Sequence, residues 1–303
     1  MKTNNKILVA LDLEEQAMIA LQYAVHFGKI LKYDIEAITV VEESNILSKL
    51  FASDEIVLQL NKEVQEKVDN ALSPYKNDIK INTTISYGKP YEKVMQHAAK
   101  IKPCFIVMGR SEYSKHDLPL LGSNCMHVIL EAGFPVLTIR GHYNFESYSK
   151  EHREILVPLD LKKGISEQLT ASIEFAKLFK TSIRLIAVQT SGGKGREAKM
   201  LSQIAQTKKM IAEAGIVCIA EIVTIADKSL TDIICEEAEK RKALMIIIMV
   251  RSEGKITDFI IGSKALEIIN KSNLPVMNIE PWDMETGSEV FSVLFDPLNI
   301  LKK

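Results

Sequence analysis

The chain carries one stretch of sequence twice. Leu8 to Leu13 reads LVALDL and Leu156 to Leu161 reads LVPLDL, 148 residues apart; Leu121-Gly122-Ser123 recurs as Ile261-Gly262-Ser263, and Pro135-Val136 as Pro275-Val276, each 140 residues apart. Self-similarity at a period of one small-domain length means two copies of a single folding unit, not a solenoid of short repeats. With 303 residues and 47% hydrophobic content, each copy can bury a core without metal or disulfide staples.

Short β-rich apolar runs alternate with longer segments of helical period in both copies, the pattern of a parallel sheet covered by helices on both faces. In copy one the predicted strands are 7–11, 35–41, 79–86, 105–108 and 136–139. Ala17, Leu21, Ala24, Gly28 and Leu31 recur at three- and four-residue intervals and form the apolar stripe of a first helix. A second helix is expected over 54–72. A third is announced by Gly88-Lys89-Pro90, because proline loses nothing in a first helical turn. The fourth spans 123–131 and is stopped by Gly133 and Pro135. Copy two repeats the order, with strands at 155–159, 183–189, 217–225, 244–249 and 276–279. Its offset falls from 148 to 140 where copy one has the loop 42–53, a place where length changes cost little. The expected organisation is domain one over 1–141, a polar linker over 142–153, domain two over 154–280 and a tail over 281–303.

Composition narrows the function. Lys and Arg number 38 against 39 Asp and Glu, a net charge of -1, without the basic excess of a nucleic-acid binder. Cys104, Cys125, Cys218 and Cys235 show no CxxC spacing and sit in or beside apolar runs, as reduced core thiols do. The first apolar run, 7–11, is too short for a signal-peptide core, and the longest, 243–250, falls far below a membrane span. The expectation is a cytoplasmic protein that binds neither membrane nor nucleic acid. The six histidines form no HxxH or HExxH pair, so no metal is expected. His26, His97 and His127 fall in predicted helices and read as partly exposed structural residues. His116-Asp117 is the only His-Asp neighbour, and no serine or cysteine is placed by a GxSxG motif, so no catalytic constellation emerges. Ser191-Gly192-Gly193, followed by Lys194-Gly195-Arg196, reads as a flexible cationic turn.

Ala10-Leu11-Asp12 closing a strand, Gly88-Lys89-Pro90 opening a helix, Ile106-Val107-Met108-Gly109-Arg110, Leu121-Gly122-Ser123 and Phe134-Pro135-Val136-Leu137 together resemble the universal stress protein family. The resemblance covers both halves. It implies two open five-stranded parallel sheets of order 3-2-1-4-5, Rossmann-like, with helices on both faces, joined through their last strands as a pseudo-twofold pair within one chain. For copy one it implies a candidate ATP site at Asp12, Val40, Gly109, Arg110, Gly122, Ser123 and Val136. ATP-binding members carry Gly-x-x-Gly, nine residues, then Gly-Ser or Gly-Thr, which lets backbone N–H groups and a helix N-terminus approach phosphates.

Copy one keeps that spacing, but its second glycine is Glu112. A carboxylate facing a polyphosphate is repelled by roughly a few kcal/mol at an effective dielectric of about 20. Lys115 and His116 in the same loop could offset this by turning inward. In copy two the counterpart of Gly109 is Met249 or Val250, depending on whether the loop is aligned by Gly262-Ser263 or by Arg251-Ser252-Glu253. Either side chain crowds a phosphate. Asp160 matches Asp12, and its simplest role is a polar strand end.

Two functional readings follow. One is a non-catalytic stress or regulatory protein with degenerate nucleotide sites and no cofactor, acting through its surfaces on a protein partner or further copies of itself. The other is an adenine-nucleotide-sensing switch through copy one, with slow hydrolysis or autophosphorylation. The tail holds Trp282 and the apolar residues Val290, Phe291, Val293, Leu294, Phe295, Leu298, Ile300 and Leu301, interrupted by Asp296-Pro297. It is expected either to cover an apolar groove or to dock a partner.

Overall fold

The computed structural model describes residues 4–42, 54–110, 122–141, 154–159, 165–189, 194–224, 228–250 and 263–280. Copy one runs β1 (Lys6–Ala10), α1 (Glu15–Leu31), β2 (Asp34–Val41), α2 (Asp54–Leu72), a 3-10 turn (Ser73–Tyr75), β3 (Ile81–Tyr87), α3 (Pro90–Ile101), β4 (Phe105–Gly109), α4 (Ser123–Glu131) and β5 (Val136–Ile139). Copy two runs β6 (Ile155–Leu159), α5 (Ile165–Phe179), β7 (Ile183–Gln189), α6 (Lys194–Glu213), β8 (Cys218–Thr224), α7 (Leu230–Lys240), β9 (Met245–Met249), α8 (Ser263–Lys271) and β10 (Val276–Ile279). The chain divides into two compact units at Gly141 and His142. Linker 142–153 and tail 281–303 lie outside the described residues. Lys194, Gly195 and Arg196 are not a turn: they open α6.

Each unit is an all-parallel sheet. Strand order is β3-β2-β1-β4-β5 in copy one and β8-β7-β6-β9-β10 in copy two, the expected 3-2-1-4-5 twice over. A parallel sheet with helices on both faces has to be apolar on both faces. Accordingly, Ile7, Leu8, Val9, Phe105, Ile106 and Val107 are fully buried, as are Ile155, Leu156, Val157, Met245, Ile246 and Ile247. α1 packs on β1, β2, β4 and β5, whereas α3 packs on β1, β2 and β3 and against α4.

Four helices end on a left-handed lysine. Lys32 after α1 and Lys102 after α3 have φ of 57° and 49°, and Lys180 and Lys242, their counterparts at offsets 148 and 140, have 52° and 50°. Glycine normally fills this position; a lysine there places its charge against the negative end of the helix dipole.

The two copies also share a buried ionic position with the charges exchanged. In copy one, Lys6 Nζ donates to Glu36 Oε1 at 2.6 Å and Asn82 Nδ2 donates to the same oxygen at 2.9 Å. Glu36 has 7% of its side chain exposed. At offset 148 stand Glu154 and Arg184: Arg184 Nε donates to Glu154 and its Nη1 to Glu221, and Arg241 continues the chain to Glu221 at 2.8 Å and to Glu237 at 3.0 Å. The register explains the match, because Leu8 lies opposite Glu36 and Leu156 opposite Arg184. A buried carboxylate needs a cation and hydrogen bonds, whichever strand supplies them.

His97 of α3, at the counterpart position of Glu237, brings Nε2 to 3.9 Å from Glu36 Oε2, with 12% of its side chain exposed. Burial depresses its pKa below 6.5; Glu36 opposes this, and Lys100 and Lys6 add to it. The folded state therefore binds fewer protons than the unfolded chain, whose histidine titrates near 6.5, so stability rises with pH in this window. Copy one should lose stability as pH falls below about 6.5, until the folded pKa is passed. His97→Gln should flatten that dependence, read as amide exchange of α3 between pH 5 and 7; an unaltered pH profile would contradict it.

Candidate functional site

In a sheet of this order, the chain reverses direction between β1 and β4, and the crevice lies outside the carboxyl ends of those strands. The structure brings Asp12, Val40, Gly109 and Arg110 to that end of copy one. Asp12 follows β1 and is exposed; its Oδ1 accepts the Glu14 N–H at 2.9 Å, so the carboxylate is engaged in the turn into α1. Leu13, between them, has a φ of 66°, a left-handed conformation that costs a non-glycine residue about 1–2 kcal/mol. Val40, near the end of β2, is half-buried.

Gly109 ends β4 directly beneath the start of α1. A Cβ built on it would lie 2.4 Å from the Gln16 carbonyl carbon and oxygen and 2.6 Å from the Ala17 nitrogen. Both neighbours are backbone and cannot swing away, so the approach of helix to strand already demands glycine here. Gln16 is itself buried, and its Oε1 accepts the Gly141 N–H at 3.1 Å, closing the end of β5 over the same place. Sequence reasoning missed Gln16: a glutamine at the edge of an amphipathic stripe reads as a solvated residue.

Arg110 is buried, and its N–H donates to the Ile139 carbonyl at 2.8 Å. Its guanidinium is near Cys125 in the first turn of α4; burial pushes that thiol up to about 12, with Arg110 pulling the other way. Gly122 is the non-helical residue before α4, with φ -56° and ψ 142°, no side-chain cap and its carbonyl accepting the Met126 N–H at 3.0 Å. Ser123, the first helical residue, is exposed. Val136 is not brought to this cluster. It opens β5, fully buried, about 10 Å of strand below Ile139. Glu112, Lys115 and His116-Asp117 lie outside the described residues, as do Asp160, 190–193 and Gly262.

Strand register resolves the alignment of copy two. Gly109 lies opposite Ile139 and Met249 opposite Ile279, while Arg110 N–H bonds Ile139 and Val250 N–H bonds Ile279 at the same 2.8 Å. Met249 is therefore the counterpart of Gly109, and fully buried Val250 that of Arg110. Copy two has a side chain where copy one has none, and an apolar residue where copy one has a guanidinium.

Among the described residues, no cluster of three or more His, Cys, Asp or Glu side chains is arranged to hold a metal ion, and no helix is long and apolar enough to cross a membrane. The four cysteines form no disulfide; burial pushes Cys104 to about 12 and Cys218 to about 11, which leaves little nucleophilic thiolate at those two.

The fold and its crevice define an open doubly wound α/β protein of the kind that binds ligands at the strand ends. The universal stress protein family matches residues 3–140 and again 151–279, and the chain belongs to that family, with two copies of its domain. A universal stress protein of Methanocaldococcus jannaschii is 28% identical over 138 residues, 45% of this chain and 81% of that protein. The crystal structure of a universal stress protein from Archaeoglobus fulgidus superposes with a TM-score of 0.70 at 22% identity, covering 92% of this chain and 99% of the other. A functionally unknown protein of Pseudomonas aeruginosa shares the fold at a TM-score of 0.57 and 14% identity, over 97% and 96% of the two chains.

Proposed function

We propose that the chain is a non-catalytic regulatory protein of the stress-response type, acting through its surfaces, with the nucleotide site of copy two lost and that of copy one weakened. One observation carries this reading: the residue that ends the fourth strand is Gly109 in copy one and Met249 at the same register in copy two. The retained glycine needs no nucleotide to account for it, because the Gln16 backbone already excludes a side chain. Arg110 gives way to Val250, so copy two lacks this buried cation at that strand end.

A second reading, an adenine-nucleotide switch through copy one, draws on the start of α4. Gly122 leaves the first N–H groups of that helix without a side-chain cap, and Ser123 is exposed beside them. Such a terminus favours an anion. Calorimetric titration of the full chain with ATP distinguishes the two. Wild type should show no saturable heat, and Glu112→Gly should gain affinity by at least about tenfold, since removing one like charge is worth about 1.4 kcal/mol or more. Stoichiometric binding by wild type would favour the switch, and an unresponsive Glu112→Gly would show that copy one holds no latent phosphate geometry.

A further inference from the structure

The outer edge strands of the two copies are built differently. β3 pairs only with β2, and β8 only with β7, among the described residues. The Lys80 carbonyl accepts the Ile35 N–H and the Val217 carbonyl accepts the Ile183 N–H, both at 2.9 Å, so Lys80 and Val217 occupy the same position. Two residues on, Asn82 lies opposite Glu36 and Ile219 opposite Arg184. Copy one blunts its edge: Lys80 pairs with Asp34 at 2.7 Å, and Asn82 is bonded to Glu36. A lysine on an edge strand is a common protection against pairing with another chain. Copy two has removed this protection. Val217 is 70% exposed and Ile219 is 40% exposed, side by side on one face.

We propose that β8 is an interface strand, which pairs antiparallel with β8 of a second copy of this chain. The Val217 carbonyl points to β7, so by strand alternation the backbone groups of Cys218 and Ala220 point outward, available to a partner. A twofold axis at Cys218 sets Val217 opposite Ile219 of the other copy, an apolar cross-strand pair made twice. Like-with-like contact requires that the patch not repel itself. The segment from Val217 to Ala220 carries no charge, and Glu221, next to it, is held by Arg184 and Arg241. The flanking charges on α6 are of both signs: exposed Lys208, which acts on the Cys218 thiol, and Lys209 paired with Glu213. The same twofold at the edge of copy one would set Lys80 opposite Asn82 of the other copy, two polar residues already engaged by Asp34 and Glu36, which selects against that pairing there.

Sedimentation velocity on the full chain over a concentration series tests this. Wild type should dimerise reversibly. Val217→Lys/Ile219→Asn, which installs the residues copy one already carries in this fold, should weaken self-association by roughly a hundredfold or more. Ile219→Asn alone should weaken it less. Amides of Cys218 and Ala220 should exchange faster on dilution and in the double variant, while β6 and β7 keep their protection and so report an intact sheet. Three results would overturn the proposal: wild type monomeric at every concentration, a dimer that survives the double substitution, or protection of β8 that ignores dilution but disappears when residues 282–303 are removed.

Discussion

Gly109→Ala is expected to destabilise copy one by about 2–3 kcal/mol, a large share of what a domain of this size has to lose. The added methyl would sit 2.4 Å from the Gln16 backbone, so α1 has to move away from β4 or β4 has to bend. Met249→Gly in copy two should have no comparable benefit or cost beyond lost side-chain burial, since that strand end already accommodates a long side chain. Amide exchange resolves the two copies separately, which a single unfolding curve of a two-domain chain does not. If Gly109→Ala leaves α1 and β4 protected as in wild type, then packing does not account for the glycine and a ligand-based reason for it regains weight.

The second large effect concerns the exchanged ion pairs. Glu36→Arg alone places a guanidinium beside Lys6 in a buried site without an acceptor, and should cost copy one about 3–5 kcal/mol. Adding Lys6→Glu recreates the arrangement of Glu154 and Arg184 on the same rungs, and should recover more than half of that loss. Asn82 and His97 remain as neighbours tuned to a carboxylate, so recovery is not expected to be complete. A double variant no more stable than Glu36→Arg would mean that the two sites are not interchangeable, and that the sheet imposes the direction of the pair.

Much of this architecture was legible in the sequence because the repeat provided two independent readings of each element. The expected spans 54–72 and 123–131 coincide with α2 and α4, and the predicted strands fall within a few residues of those observed. Lys194, Gly195 and Arg196 were misread because glycines signal a turn in isolation; here the helix continues to Glu213, and its later residues, Ile204 and Ile211, supply the burial that holds it. The choice between Met249 and Val250 could not be made from sequence, since two landmarks on either side of the loop gave different alignments. Hydrogen-bond register decides it, because strand pairing is insensitive to loop length.

Lys6, Glu36, Glu154 and Arg184 stand at the repeat offset in plain view, yet charged residues in strands read as solvated until a helix is seen to cover them. His97 is a milder case: the expected partly exposed helical histidine is half-buried, and what the sequence does not show is that α3 places it beside Glu36. The edge of β8 was readable only in part. Val217 and Ile219 look like ordinary strand residues, and their exposure becomes informative once Lys80 and Asn82 are known to be their counterparts.

We propose that this universal stress protein works without a resident nucleotide. The most direct test is mass spectrometry of the small molecules released when the purified full chain is denatured. No adenine nucleotide should be recovered in proportion to protein, and one recovered per chain would overturn a nucleotide-free mode of action.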